Sequence, residues 1–325
     1  MSEILALATA NIVSPIILSF VLGLAAALAR SDLTFPEAAA KALSIYLLFA
    51  IGFKGGVSVA GHGVDGKLAA TLLRGILLSA LLPFLAYALL RLLSRMDRMN
   101  AAAVAGHYGS ISIVTFLAGS SLLAQRAVEA EGYMVAVAAV MEAPAILTTL
   151  WLVSRGGSSR VDAGLLREIL LNGSIVLLVG AFLIGWLTGA EGMGKIEPFI
   201  GAPFQGVLCL FLLDMGLIAG RGLRRARGVL GAGALIFGIV MPLIGSIIGL
   251  GAAVLLGLSL GGSVLLMILA ASASYIAVPA AMRVALPEAD PAIYLTLSLG
   301  VTFPFNLTVG IPVYYVLASY AIGGF

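Results

Sequence analysis

Charge is what this sequence has least of. Its 325 residues carry 18 Lys and Arg and 15 Asp and Glu, 10% in all, where a soluble domain carries about 25%. So few ionic groups cannot clothe a water-facing surface, which excludes a large soluble domain. Cysteine is nearly absent: Cys209 stands alone in an apolar run, so neither a disulfide nor a cysteine-based metal site is expected. Two histidines and no Asp-rich motif leave none of the nucleophile–base pairs or metal clusters that an enzyme needs. Catalysis is therefore not expected, nor a cofactor, nor a metal beyond a coupling ion. The basic residues lie between apolar runs and form no interleaved patch, so the net charge of +3 does not point to nucleic acid.

What remains is hydrocarbon. Hydrophobic residues make up 61% of the chain, and runs of membrane-spanning length, roughly 20 residues, recur from end to end. The fold class is an all-α polytopic membrane protein. Turn signals and charges divide it into about ten helices, at 12–30, 36–53, 68–94, 100–126, 132–154, 164–189, 197–220, 228–257, 261–287 and 291–322. The first run opens near Asn11 without a basic segment or cleavage pattern, and is expected to be a retained span, not a signal peptide.

Basic residues alternate by loop. Arg30 follows the first span, Arg91, Arg95 and Arg98 the third, and Arg155, Arg160 and Arg167 the fifth. Arg221, Arg224, Arg225 and Arg227 follow the seventh, and Arg283 lies late in the ninth. The opposite loops carry only Lys54, Lys67, Arg126 and Lys195. The positive-inside rule then puts the odd-numbered loops in the cytoplasm and both termini outside, in an inner (plasma) membrane. "NGS" at 172–174 matches a glycosylation sequon but falls on the cytoplasmic side, and is discounted.

The two halves share landmarks at an offset of 164. Gly52 in "LLFAIGFKGG" pairs with Gly216 in "LLDMGLIAG", Ser110 with Ser274, and Glu142 in "VMEAPAIL" with Asn306 in "FPFNLTVGIP". Five spans per half is odd, so the repeats, residues 1–157 and 158–325 of one membrane domain, would be inverted. Inverted repeats with helices interrupted at matching places point to a secondary transporter.

The interruptions are expected at Gly109-Ser110-Ile111-Ser112 in the fourth span and Ser272-Ala273-Ser274-Tyr275 in the ninth. A broken helix leaves amide donors at one end and carbonyl acceptors at the other, and in lipid these need a partner. Crossed near mid-membrane, they can hold an anion on amides and hydroxyls and a cation on carbonyls and carboxylates. Those eight residues are the candidate substrate site, for a small anion carried with sodium. Two plainer readings stay open: hydroxyls bonding back to their own helix, and Pro279 acting only as a kink.

Glu142 is the most telling single residue, because a carboxylate in an apolar helix costs about 3 kcal/mol. With a carbonyl freed by Pro144 it can ligate sodium through oxygen, or it can instead hydrogen-bond a serine in protonated form. Thr115, Asn306 and Thr302 complete the candidate sodium set, with helix packing as the alternative for Asn306. Lys54 and Asp214 flank the repeated glycines and are expected to form a structural ion pair, with substrate contact as the alternative. His107 is expected to be a packing donor.

"AIGFKGG", "MEAP", "AASASYIAVPAAMRVALPEADPAIY" and "GIPVYY" resemble the sodium-dependent bicarbonate transporter family first known from cyanobacteria, and the likeness runs through nearly the whole chain. The resemblance implies ten helices in two inverted five-helix repeats and a homotrimer whose core moves as an elevator against a fixed gate. It also implies sodium-coupled bicarbonate uptake at the crossing of the fourth and ninth spans. Tyr275 stands where the family carries an acid, so that sodium site is either weakened or rebuilt around Glu142. The loop at 155–163 is shorter than is typical, so a cytoplasmic regulatory protein, known for the family, does not carry over directly. The alternative is a carrier of similar architecture for another organic anion or a neutral solute, driven by sodium or protons.

Overall fold

The computed structural model describes residues 13–63, 65–154, 167, 171, 173–225, 230–275, 278–279, 282, 286 and 288–323. Among them every regular element is a helix. The expectations for Asn11, Arg155, Arg160, Arg227, Arg283, Asn172, the loop at 155–163 and much of 276–287 lie outside the described residues.

In chain order the helices are α1 (Pro15–Leu28), α2 (Glu37–His62), α3 (Gly66–Leu93), α4 (Arg98–Gly109), α5 (Ile113–Gln125), α6 (Met134–Val140) and α7 (Glu142–Ser154). They continue as α8 (Gly173–Ile200), α9 (Phe204–Arg225), α10 (Ala232–Leu256) and α11 (Leu260–Ala271). The chain closes with α12 (Pro291–Leu295), α13 (Phe303–Phe305) and α14 (Ile311–Ile322), joined by π-helical turns at Thr296–Thr302 and Asn306–Gly310. Eight helical stretches among the described residues are long and apolar enough to cross a membrane, while Pro15–Leu28 and Leu260–Ala271 are shorter.

Short polar side chains start these helices. Asp65, Asp97, Ser112 and Ser259 each accept from the amide three residues on, at 2.7, 3.0, 3.2 and 3.0 Å. Asp290 accepts from Ala292, with Pro291 at the first helical position. Each cap satisfies a donor that the helix cannot satisfy itself. The outer faces are apolar: Leu92 and Leu187 are 81% and 82% exposed, which suits lipid and not water. α4 and α11 are enclosed instead. Every residue from Ala101 to Gly109 and from Gly261 to Ala271 is buried, as expected of helices that are apolar or small all round.

Loops of the same parity share an end of the molecule. At one end Lys67 donates to the Gly257 carbonyl at 2.6 Å and stands 3.7 Å from Glu131, which accepts from the Ser259 amide and hydroxyl at 2.8 Å each. These residues follow the second, fourth and eighth spans. At the other end Arg224 donates to Ala27 O at 2.6 Å and Arg221 to Leu33 O at 2.9 Å, joining the first and seventh loops. There the Asp290 amide also donates to Asn100 Oδ1 at 2.7 Å, joining the third and ninth.

Glycines bring two helix pairs into backbone contact. α2 crosses α8 where Gly52 and Gly56 meet Leu178, Ala181, Phe182 and Trp186, and α1 crosses α9 where Gly216 and Gly220 meet Phe20, Leu24 and Ala27. Both pairs are spaced by four, the small-xxx-small pattern that lets membrane helices approach closely.

Three expectations are corrected. α2 runs nine residues beyond the expected end at 53. The sixth span does turn at Gly189 (φ 55, ψ −147), but the following residues are helical, not a loop. They fold back along α2, so that Ile200 packs on Ala50 and Phe53 and the Tyr46 hydroxyl donates to Phe199 O at 2.5 Å. Their glycines and charges read as a loop, and packing overrides that local preference. Lys54 and Asp214 do not pair among the described residues: Lys54 Nζ lies 4.6 Å from the centre of the Phe204 ring, and Asp214 Oδ2 has no partner. A ring face and one carboxylate oxygen without a cation replace the expected ion pair.

Candidate functional site

Two interruptions meet at the centre of the buried helices. α4 stops at Gly109 and α5 starts at Ile113, with Ser110 and Ser112 extended between them. α11 stops at Ala271, with Ser272 extended after it. The two extended segments lie across one another. The Ser274 amide donates to His107 O at 2.8 Å, and His107 Nδ1 donates to Ser274 O at 2.5 Å. Since a carbonyl only accepts, Nδ1 carries the proton. His107 also stacks on Tyr294, with ring centres 4.7 Å apart. The Ser112 amide donates to Ser272 Oγ at 2.9 Å, and Ser272 Oγ donates to Leu269 O at 3.0 Å. Breaking α4 and α11 thus costs few unpaired backbone groups, because each break satisfies the other.

A narrow cavity opens beside the crossing, lined by Leu48, Ile111, Ser112, Ile113, Glu142, Ser274 and Tyr275. Its enclosed part is about the size of one water molecule. Glu142 is buried yet forms no hydrogen bond or ion pair with the described residues, so its carboxylate is left for the cavity. The Tyr275 hydroxyl is buried near Ser112 without a well-formed hydrogen bond. Ile113 and Val114 open α5, where amides have no carbonyl one turn back. A carboxylate that favours a cation therefore faces the end of a helix that favours an anion.

Of the expected substrate residues, Ile111, Ser112, Ser274 and Tyr275 line the cavity. Gly109 instead packs against Pro83 and Ala145. Ser110 is buried with its hydroxyl unpaired, and Ala273 belongs to a neighbouring apolar core. Ser272 acts one step back, holding the Ser112 amide. Ser272→Ala would strand that buried amide, at about 1–3 kcal/mol, and a fall in melting temperature with the crossing otherwise intact is the expected result.

The expected sodium residues separate into groups. Glu142 is at the cavity, and Thr115 is one bond behind it, its hydroxyl donating to Ser112 Oγ at 2.9 Å. Asn306 ties down the end of α11, donating to Ala271 O at 2.9 Å and accepting from Tyr314 at 2.7 Å. Thr302 lies apart, donating to Gly238 O at 2.6 Å and bonded to the Tyr108 hydroxyl at 2.6 Å. Asn306 and Thr302 both fall in the π-helical turns around Pro304, local irregularities of a kind frequent at functional sites.

Ser79 is not legible in the sequence, where a lone hydroxyl in a leucine-rich helix gives little signal. It splits the fifth span: the Ala145 amide donates to Ser79 Oγ at 3.1 Å, which donates to Met141 O at 2.5 Å. An inserted hydroxyl opens the helical ladder next to Glu142, and the Met141 carbonyl is used up in doing so. Leu48 and Ile113 were likewise invisible as lining residues, being apolar among many.

A sequence profile of the Na+-dependent bicarbonate transporter superfamily matches residues 15–319. No curated protein matches the chain.

Proposed function

Because this chain belongs to the Na+-dependent bicarbonate transporter superfamily, we propose that it is a secondary carrier that takes up a small anion, bicarbonate, together with sodium. One observation carries the proposal. Among the described lining residues of the central cavity, Glu142 alone bears a formal charge and has no partner among the described residues, and it faces the start of α5 and Ser112, Ser274 and Tyr275. Sodium at Glu142 neutralises the carboxylate, and the cation then favours an anion on the amide side. Coupling follows from that mutual neutralisation: neither ion is well held in a low-dielectric cavity without the other.

The same proposal includes the arrangement around the site. The matching glycine crossings and the paired breaks support two inverted five-helix repeats. The sharing of ends by loops of one parity supports odd-numbered loops in the cytoplasm and both termini outside. A homotrimer with an elevator movement is proposed by family membership alone. Ser272 and the His107–Ser274 pair would keep the two breaks together as the site moves.

Purified protein in proteoliposomes should accumulate radiolabelled bicarbonate under an inward sodium gradient and not when potassium replaces sodium. Equal uptake in potassium would remove sodium coupling. Uptake that another carboxylate abolishes, while bicarbonate does not compete, would favour the alternative carrier of an organic anion.

A further inference from the structure

Away from the central cavity, at the end where odd-numbered loops gather, a cleft of about 220 Å³ is lined by Ala27, Arg30, Ser31, Arg221 and Arg224. Three arginines line it, and none is in an ion pair among the described residues. Among the described residues, Asp214 has a charge that reaches Arg221, and Asp32 lies two positions from Arg30 in the chain. Like charges so gathered repel unless an anion lies among them.

Two of the three are already oriented. Arg224 and Arg221, three residues apart on one face of α9, each spend an N–H on a carbonyl, of Ala27 and Leu33. The remaining donors of each planar fork are held for an oxyanion. The third is placed at a cost. Arg30 ends α1 with φ 61, and the Ser31 amide donates back to Ala26 O at 2.9 Å. That helix-ending geometry normally takes glycine, because a side chain is strained at positive φ. Arg30 and Ala127 are the non-glycine residues at positive φ among the described residues, and of the two Arg30 lines this cleft.

A second groove, of about 380 Å³, shares Arg221 and continues along Ile218, Ala219, Leu295 and Leu299. Charge at one end and an apolar trough at the other match an amphiphile. We propose that the cleft binds the phosphate of an anionic phospholipid, with the acyl chain along the Ile218–Leu299 groove. Basic pockets between membrane helices take such headgroups. The groove runs between α9 and the tenth span, so a bound lipid would bridge the two. This assignment does not depend on which solute is carried.

Native mass spectrometry of the full chain in detergent tests it, with phosphatidylglycerol and phosphatidylcholine of matched chains and with inorganic phosphate. Wild type should retain phosphatidylglycerol at least about fivefold better than phosphatidylcholine. Arg30→Gly should lose that preference while melting no lower than wild type, since glycine suits the backbone there. Arg221→Gln with Arg224→Gln should lose it too, and Arg91→Gln, from the same end of the molecule, should keep it. If inorganic phosphate raises the melting temperature of wild type but not of Arg30→Gly, and the lipids bind alike, the phosphate site stands and the lipid is overturned. Equal lipid retention without a phosphate response, or an equal loss in Arg91→Gln, overturns the site.

Discussion

Glu142→Gln should raise the sodium concentration needed for half-maximal uptake at least about tenfold, a change of about 1.4 kcal/mol, without lowering the melting temperature. The two halves of that outcome have one cause. A carboxylate in this apolar setting costs about 3 kcal/mol, and Glu142 has no partner among the described residues to offset it. An amide of the same shape removes that cost, so stability holds or rises. It also removes the negative charge that sodium would neutralise. Stability gained where activity is lost is the pattern of a strained functional site. Were Glu142 only a protonated hydrogen-bond donor, glutamine would donate equally well, and uptake would be unchanged. Stabilisation of the purified protein by sodium, present in wild type and absent in the variant, gives a second readout without transport.

The second large effect lies at the helix crossings. A methyl on Gly52 would stand 2.5 Å from the Leu178 carbonyl oxygen and 2.9 Å from Ala181 Cβ. One on Gly216 would meet the Phe20 carbonyl oxygen and stand 2.7 Å from the Leu24 amide nitrogen. Backbone cannot swing aside as a flexible side chain can. Gly52→Ala and Gly216→Ala should therefore each lower stability by about 1–3 kcal/mol, read as a fall in melting temperature. Gly61→Ala and Gly180→Ala, on α2 and α8 but facing open space, should be neutral or stabilising by up to about 1 kcal/mol. If all four behave alike, close backbone approach is not what holds these helices. A similar loss at 52 and 216 would further support the pseudo-repeat that pairs them.

Much of the site could be located without coordinates. The serine clusters at 110–112 and 272–274 stand out because polar residues are costly in hydrocarbon, and both do mark breaks. Glu142 stands out for the same reason and reaches the cavity. Which hydroxyls face that cavity was not legible. At each break one serine lines the cavity while a neighbour, Ser110 or Ser272, does not, and the choice depends on how two chains cross. Thr302 looked like an ion ligand by its nearness to Asn306, yet its hydroxyl is bonded to Gly238 O and Tyr108. Ser79 gave no warning, because a hydroxyl acts on another helix only once the two are packed.

The sequence alone determined that this is a helical membrane protein with polar breaks in two spans and a lone acid in a third. Those features come from composition and hydropathy, which each residue carries wherever it lies. Tertiary structure decided that the two breaks satisfy each other's backbone, that Lys54 turns to Phe204 and not to Asp214, and that residues after Gly189 fold back as helix. It also brought Arg30 into one cleft with Arg221 and Arg224, which lie nearly 200 positions further along the chain. Contacts between distant residues depend on geometry that local pattern does not encode, and here that geometry is set by glycines close enough for backbones to touch.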